Sequence, residues 1–252
     1  MVSQSPTQPE VIYPDSDGQP MANNTKQFRW IVVVQQNLDW LYADEPNVFV
    51  AGDLFWYPVQ GRNTLVNAPD VMVVFGRPKS DRASYKQWEE DNIAPQVVFE
   101  ILSPSNSQEE MEKKLLFYDR YGVEEYYIYD PDSNRLRGWL RGEDGLEPIA
   151  SMANWVSPRL EIRFDLSGEE LQIYRPDGGL FFSYIEICQL LEQERQRAAQ
   201  AEQQLVQQQQ KAVQAEQRAI LAEQQLTQEQ QQAEAMKELL RRYQERFGDL
   251  TE

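Results

Sequence analysis

The last quarter of the chain is the feature that most restricts its fold. From about Glu186 the sequence becomes rich in Gln, Glu and Ala, and the motif AEQQL at 201–205 is repeated at 222–226, with AEQRA at 215–219. The copies are spaced by multiples of seven residues, as in the heptad repeat of a coiled coil. This polar segment lowers the mean hydropathy of the chain to −0.67 and leaves the globular core to the residues before it.

The heptad repeat predicts a long C-terminal helix that associates with other helices. With Leu191 at position a, every a position from Tyr184 to Leu240 is apolar, whereas several d positions hold Glu or Gln. The seam is rich in Ala and interrupted, which is typical of a modest coiled coil. We predict a coiled-coil helix over 185–246 that makes the protein a homo-oligomer, and a short tail over 247–252. The alternative is a lone or partly frayed helix.

The first part of the chain alternates apolar runs with helical patterns. Residues 1–25 mix Ser, Pro, Gln and Asp without periodicity, which predicts a disordered N-terminal tail. From Lys26 apolar residues recur at helical spacing, so an amphipathic helix is expected to end before Asp44. Strands are predicted at the β-like runs that follow, which are 48–59, 71–75, 97–102, 125–130 and shorter segments near 136–142, 160–164 and 171–175.

A second helix is expected between the strands 97–102 and 125–130. Ser and Asn at 103–106 can cap its start, the acidic residues that follow suit its positive N-terminal end, and Gly122 ends it. Strands that alternate with a helix indicate an α/β domain, a sheet with helical cover, over residues 26–184.

Residue counts exclude several kinds of site and partner. The chain has no histidine and one cysteine, Cys188, which excludes histidine-based triads, histidine-ligated zinc and an intrachain disulfide. Any catalysis must therefore use carboxylates, Lys, Tyr, Ser or a metal held by oxygen atoms. The net charge of −17 argues against a generally basic protein that coats nucleic acid. Without an apolar leader or membrane span, a cytoplasmic location and no membrane partner are expected.

Two carboxylates next to apolar strands are the best candidates for chemistry. Glu100 lies inside the apolar run VVFEIL, and Asp70 directly precedes VMVVF. A carboxylate among apolar neighbours needs a partner or a cation, and Mg²⁺ would neutralise both while keeping several waters. Lys113 and Lys114 follow on the predicted helix, where an ammonium group could orient water or stabilise charge on a phosphate.

Several ordered motifs over about 60 residues resemble the Uma-two family of restriction-endonuclease-like proteins, part of the PD-(D/E)XK nuclease superfamily. The matching motifs are Pro69-Asp70, Glu100-Ile101-Leu102-Ser103-Pro104-Ser105, Lys114 with Tyr118, Gly122-Val123-Glu124-Glu125-Tyr126, and Asp130-Pro131.

The resemblance implies a fold, a site and an activity. The fold would be a mixed sheet flanked by helices, with Asp70, Glu100 and the Ile101 carbonyl holding Mg²⁺, or alternatively Mn²⁺. Leu102 occupies the usual position of the superfamily lysine, so the resemblance implies that this role has moved to Lys114, with Lys113 as the neighbouring alternative. Asp53 loosely matches an upstream acidic turn. The implied activity is that of a metal-dependent endodeoxyribonuclease, a hydrolase of DNA phosphodiester bonds.

A second hypothesis belongs to a different class of protein. Residues 1–182 carry 29 acidic and 16 basic side chains, so the nuclease-like part is itself acidic. Phosphate binding would then depend on the metal, on Lys114 and on the basic residues of the long connection 76–96, which can equally be a solvated loop. The alternative is a catalytically inactive nuclease-fold scaffold that acts through its coiled coil. Sequence alone leaves open the activity, the sequence specificity and the choice between DNA and RNA.

Overall fold

The computed structural model describes residues 11–18 and 20–248. The chain divides into two units, with the boundary between Ile187 and Cys188. The first unit holds ten strands and two α-helices, and most of the third helix forms the second unit. The helices are α1 (Thr25–Leu41), α2 (Gln108–Arg120) and α3 (Tyr184–Phe247). The strands are β1 (Val48–Ala51), β2 (Trp56–Tyr57), β3 (Val71–Phe75), β4 (Tyr85–Lys86), β5 (Val97–Ile101), β6 (Glu125–Asp130), β7 (Arg135–Arg141), β8 (Leu146–Pro148), β9 (Arg163–Asp165) and β10 (Gln172–Tyr174).

A six-stranded mixed sheet forms the centre of the first unit. Its strand order is β1-β3-β5-β6-β7-β8, and only β5 and β6 pair in parallel. The crossover between these two strands contains α2, as a parallel connection requires. Two small sheets, β2 with β4 and β9 with β10, accompany it. The predicted α/β class, a mixed sheet with helices and a long C-terminal helix, is confirmed.

Helix α1 covers one face of the sheet because its apolar residues recur every three or four positions. Asn24 caps its first turn by accepting a hydrogen bond from the Gln27 amide. Its inward stripe includes Trp30, Ile31 and Val34, which pack in one core with the odd-numbered side chains of β3 and β5.

Helix α2 covers the opposite face. Ser107 caps it by accepting from the Glu110 amide, so the cap is Ser107 rather than a residue of 103–106. Met111 and Tyr118 point toward the sheet and pack with the even-numbered side chains of the central strands. This alternation places Asp70 and Glu100 on the α2 face.

Helix α3 is one continuous helix of 64 residues, and its side chains over 184–246 are exposed. Its heptad leucines, such as Leu205 at 56% and Leu226 at 56%, remain solvent-exposed. The helix agrees with the sequence analysis, and its association with other helices stays a prediction. None of the helices in the described ranges has the length and apolar content needed to cross a membrane.

Three sequence predictions need correction. Residues 12–14 belong to the predicted disordered tail, yet Tyr13 packs edge-on against Tyr57, whose hydroxyl donates to the Pro14 carbonyl at 2.6 Å. These two contacts attach the segment to the first unit. The connection 76–96 contains β4 and a short 3₁₀ helix at Gln87–Glu89, so it is not irregular throughout. The strands predicted near 160–164 and 171–175 are shorter than expected, and the run predicted at 48–59 is divided between β1 and β2. Residues 1–10, 19 and 249–252 lie outside the described residues.

Glu125, the first residue of β6, links this strand to the segment that follows β8. Its carboxylate is fully buried and accepts hydrogen bonds from the hydroxyls of Ser157 (2.5 Å) and Tyr127 (2.9 Å) and from the Arg159 amide (2.6 Å). Burial raises the pKa of Glu125 above its ordinary value, against the effect of these donors.

We expect Glu125→Ala to lower the free energy of unfolding by about 3 kcal/mol, because three buried donors lose their acceptor. Glu124→Ala is the matched control, since Glu124 makes a partly exposed ion pair with Arg159 and its replacement should cost less than about 1 kcal/mol.

The pKa of Glu125 is higher in the folded protein than its ordinary value. The stability advantage of wild type over Glu125→Ala should therefore be largest below the ordinary carboxyl pKa and shrink as the pH rises toward the raised pKa. Urea denaturation of the three proteins across this pH range measures both effects. Equal stabilities of the two variants would contradict the structural role of Glu125.

Candidate active site

Asp70 and Glu100 lie side by side on adjacent strands. The antiparallel register pairs Val71 with Phe99, so Asp70 and Glu100 form the next pair on the same face of the sheet. Glu100 is 2% exposed and Asp70 is 8% exposed. The Ile101 amide donates to Asp70 Oδ2 at 2.6 Å, which fixes that carboxylate against β5.

Lys114 and Tyr118 approach Glu100 from α2. Lys114 Nζ donates to Glu100 Oε2 at 2.8 Å, and the Tyr118 hydroxyl donates to Glu100 Oε1 at 2.5 Å. The two side chains are four residues apart and therefore share one helix face. Tyr118 also packs in the core, with its ring stacked on Trp56, so it combines a packing role with a contact to Glu100.

Lys113, the alternative lysine, lies on a different face of α2. Its side chain is 73% exposed and pairs with Glu109 at 2.7 Å, whereas the Lys114 side chain is 17% exposed. The difference follows from the 100° that separates consecutive residues of an α-helix. The structure thus brings Lys114, and not Lys113, to the carboxylates.

The electrostatics of the group oppose ionisation of Asp70 and favour the charged form of Lys114. Burial and the charge of Glu100 raise the pKa of Asp70 well above its ordinary value. Burial alone would lower the pKa of Lys114, but the charges of Glu100 and Asp70 raise it. Two carboxylates and one ammonium group share a buried space, so a bound cation would relieve the repulsion that raises the pKa of Asp70.

Gln27 is a site residue that the sequence analysis missed. It lies on the buried face of α1, and its side-chain amide donates to the Ile101 carbonyl at 2.8 Å. The Asn23 amide donates in turn to Gln27 Oε1 at 2.8 Å. A polar residue within the apolar stripe of α1 was the available signal. This hydrogen bond fixes the position of the carbonyl of Ile101, the residue directly after Glu100.

The serine-rich turn after β5 is a structural element. The Ser103 amide and hydroxyl both donate to Asn106 Oδ1, and the Ser103 hydroxyl also contacts that of Ser105 at 2.8 Å. These contacts close the turn that leads into α2 and agree with a structural role for the two serines rather than a nucleophilic one.

Asp53 lies near Asp70 and Glu100 and contacts Asp70 through its backbone. Its backbone has a φ of 49°, and its amide donates to the carbonyls of Pro69 (3.1 Å) and Asp70 (3.3 Å). Burial, together with the charge of Asp17, raises the pKa of Asp53.

The donor set fits a hard divalent cation that keeps several waters. Within the described ranges, no cluster of three or more His, Cys, Asp or Glu side chains is placed to hold a metal ion. Asp70, Glu100 and the Ile101 carbonyl would supply two carboxylates and one backbone oxygen, which suits Mg²⁺ or Mn²⁺ better than a metal that requires a full set of protein ligands. The Ile101 carbonyl accepts from Gln27 with one of its two lone pairs, so the other remains.

The basic residues of 76–96 do not form a free cationic surface. Arg77 and Arg82 both pair with Glu90, at 2.8 Å and 2.7 Å, and Arg77 also pairs with Asp91. Lys79 pairs with Asp39 at 3.2 Å. Ion pairs within the protein thus neutralise these basic residues, which favours the alternative that the segment does not bind a phosphate backbone.

Comparison with known proteins identifies relatives of the first unit. The family model described as "Uma2: Putative restriction endonuclease" matches residues 16–172, so the predicted resemblance to the Uma-two (Uma2) family is confirmed. A solved structure of a putative nuclease belonging to DUF820, from Anabaena variabilis, is 18% identical with a TM-score of 0.40, and the match covers 54% of this chain and 72% of that chain. Comparison with curated proteins gives no match.

Proposed function

We propose that the chain, which belongs to the Uma2 family of restriction-endonuclease-like proteins, is a metal-dependent nuclease that hydrolyses DNA phosphodiester bonds. One observation carries the proposal: Glu100, 2% exposed, lies beside Asp70 on one sheet face and accepts a hydrogen bond from Lys114 Nζ at 2.8 Å. Buried groups with perturbed pKa values and specific charge partners are typical of catalytic sites.

Each residue has a distinct role in the proposed reaction. Asp70 and Glu100, with the Ile101 carbonyl, would hold Mg²⁺ or Mn²⁺. The bound ion would polarise the phosphate and lower the pKa of a water molecule. The Lys114 ammonium would stabilise the negative charge that develops on the phosphate oxygens, or orient the attacking water. Tyr118 holds the second oxygen of Glu100 and thereby fixes the orientation of that carboxylate.

The charge of the protein predicts weak and salt-sensitive binding of DNA. Residues 1–182 carry 29 acidic against 16 basic side chains, and the bases of 76–96 are paired internally. A DNA backbone would therefore be attracted only locally, at the metal and at unpaired cations.

Nicking of supercoiled plasmid by the purified protein tests the proposal. With Mg²⁺ or Mn²⁺ at low salt we expect open-circular and linear DNA, and chelation of the metal should stop the reaction. Absence of cleavage with either metal, on both DNA and RNA, would contradict the nuclease function.

The exposed helix α3 favours a second candidate function, that of an oligomeric scaffold. Over residues 184–246 it exposes apolar side chains at heptad spacing, which is the pattern of a helix with partner helices. The two functions are compatible, because a nuclease can be assembled through such a helix. As a scaffold alone, the protein would lose its interactions when α3 is altered but be unaffected by changes of Asp70 and Glu100.

We expect the double variant Leu205→Asp and Leu226→Asp to be monomeric, because it places charges at two a positions of the heptad seam. The control is Gln203→Asp with Gln224→Asp, which adds the same charges two residues earlier in each heptad, on the outer face. Sedimentation equilibrium of the full chain should show an oligomer for wild type and control. A wild-type protein that stays monomeric at high concentration would contradict self-association.

A further inference from the structure

We propose that the cleft between α2 and strands β6 and β7 binds the phosphate backbone of the nucleic-acid strand next to the reacting phosphate, and that Arg137 is its anion-binding residue. The inference rests on the proposed nuclease function and deepens it by giving the substrate strand a path away from Glu100.

The sheet places Arg137 in the same row as the carboxylate pair. Glu100 is paired with Ile128 across β5 and β6, and Ile128 is paired with Arg137 across β6 and β7. Directly paired residues project from the same face, so Asp70, Glu100, Ile128 and Arg137 form one row across the α2 side of the sheet. Two interstrand spacings of about 4.8 Å put the backbone of Arg137 roughly 10 Å from that of Glu100.

A half-open cleft of about 730 Å³ lies at the end of this row formed by Ile128 and Arg137. Ile128 forms its floor, Met111 and Leu115 of α2 form one wall, and Arg137 and Trp139 of β7 form the other. Met111 lies three residues, about one helical turn, before Lys114 on α2, so this wall of the cleft continues toward the lysine that contacts Glu100.

Arg137 is held in place without a carboxylate partner. In the described part of the chain no acidic group lies within ion-pair distance of its guanidinium, in contrast to Arg77 and Arg82. Its guanidinium carbon is 5.8 Å from the centre of the Trp139 ring, which stacks on Tyr126 at 5.3 Å. An arginine oriented by an aromatic ring keeps its donors for a phosphate, which accepts two parallel hydrogen bonds.

The acidic residues of the cleft are already engaged. Glu112 accepts from the Gln108 side chain at 2.8 Å, and Asp130 accepts from the Ser133 hydroxyl at 2.6 Å and lies 3.7 Å from Arg135. Among the residues described, Arg137 is the cation of this cleft without an ion-pair partner, and the carboxylate of Glu112, which accepts only from a neutral amide, keeps its charge at the other side of the cleft.

The dimensions fit consecutive phosphates of one strand. Phosphates advance about 3.4 Å along the axis per nucleotide of each strand. Because the strand also winds around the axis, neighbouring phosphates are farther apart than this rise, and a phosphate one or two nucleotides from the reacting one would lie near Arg137. The apolar wall of Met111 and Leu115 would face the sugar of the same strand.

Arg137→Ala tests the inference, with Arg120→Ala as the matched control. Arg120 is an exposed arginine of α2 outside the cleft, and it too contacts only an aromatic ring, that of Tyr121 at 5.8 Å. Fluorescence anisotropy with a short labelled DNA duplex, in Ca²⁺ and over a series of salt concentrations, gives affinity and salt dependence. We expect about tenfold weaker binding for Arg137→Ala and a salt slope smaller by about 1, with binding by Arg120→Ala within about twofold of wild type.

Plasmid cleavage by the same proteins separates this inference from the proposed function. Weaker binding by Arg137→Ala supports the phosphate subsite even if the wild type cleaves nothing. Unchanged affinity and salt slope in Arg137→Ala, or no DNA binding by the wild type, would overturn it, and a wild type that still cleaves would leave the nuclease function standing.

Discussion

Replacement of Glu100 by Gln should lower the rate of metal-dependent DNA cleavage about a thousandfold, the largest effect expected of a single change. The substitution keeps the size of the side chain but removes one of the two carboxylates proposed to hold the metal. It also removes the charge that raises the pKa of Asp70 and pairs with Lys114. Single-turnover cleavage rates and calorimetric titration with Mn²⁺ should show loss of both activity and metal affinity.

The control for this prediction is Glu109→Gln. Glu109 lies in the first turn of α2 and pairs with Lys113 at the surface, so its replacement changes the same charge without touching the site. Cleavage by Glu109→Gln should match wild type. Wild-type rates in Glu100→Gln would show that the reaction takes place elsewhere.

The second largest effect is expected for Lys114→Met, which should lower the maximal cleavage rate about a hundredfold. Removal of one preorganised group that stabilises transition-state charge typically has an effect of this size. Methionine preserves most of the length of the side chain, so packing of α2 on the sheet should persist. Metal affinity should not fall, because the variant removes a cation next to Asp70 and Glu100.

Lys113→Met provides the comparison within the same helix. The Lys113 side chain is 73% exposed and lies away from Glu100, so its replacement should leave the cleavage rate unchanged. Rates lowered equally in both variants would assign the effect to general positive charge on α2 rather than to the contact with Glu100.

The site was largely predictable because its residues lie in or beside strands with clear sequence signals. A glutamate inside one apolar run and an aspartate before another predicted that the two carboxylates share a partner, and the sheet register places them side by side. The choice between Lys113 and Lys114 depended on helix phase. The spacing of Met111, Lys114 and Tyr118 along α2 gives that phase once the buried residues are known.

The residues that escaped prediction make contacts between distant parts of the chain. Gln27 reaches the carbonyl of Ile101, 74 positions later, and no local pattern signals such a pairing. Tyr13 belongs to a segment whose composition indicates disorder, but its ring packs against Tyr57. Composition reports average behaviour, whereas a few specific contacts decide whether a polar segment is held.

The extent of the long helix α3 was predictable, because it depends on a local sequence repeat. Heptad spacing predicts a helix over 185–246, and α3 spans Tyr184–Phe247. Any partner helices would come from other chains, and the interrupted heptad seam of this sequence does not specify their number or direction.

An anomalous difference map from crystals soaked in Mn²⁺ tests the central claim most directly. The account predicts a peak bounded by the carboxylates of Asp70 and Glu100 and the carbonyl of Ile101, and no such peak in crystals of Glu100→Gln. A peak elsewhere in a protein that cleaves DNA, or none at the carboxylate pair under conditions that support cleavage, would contradict it.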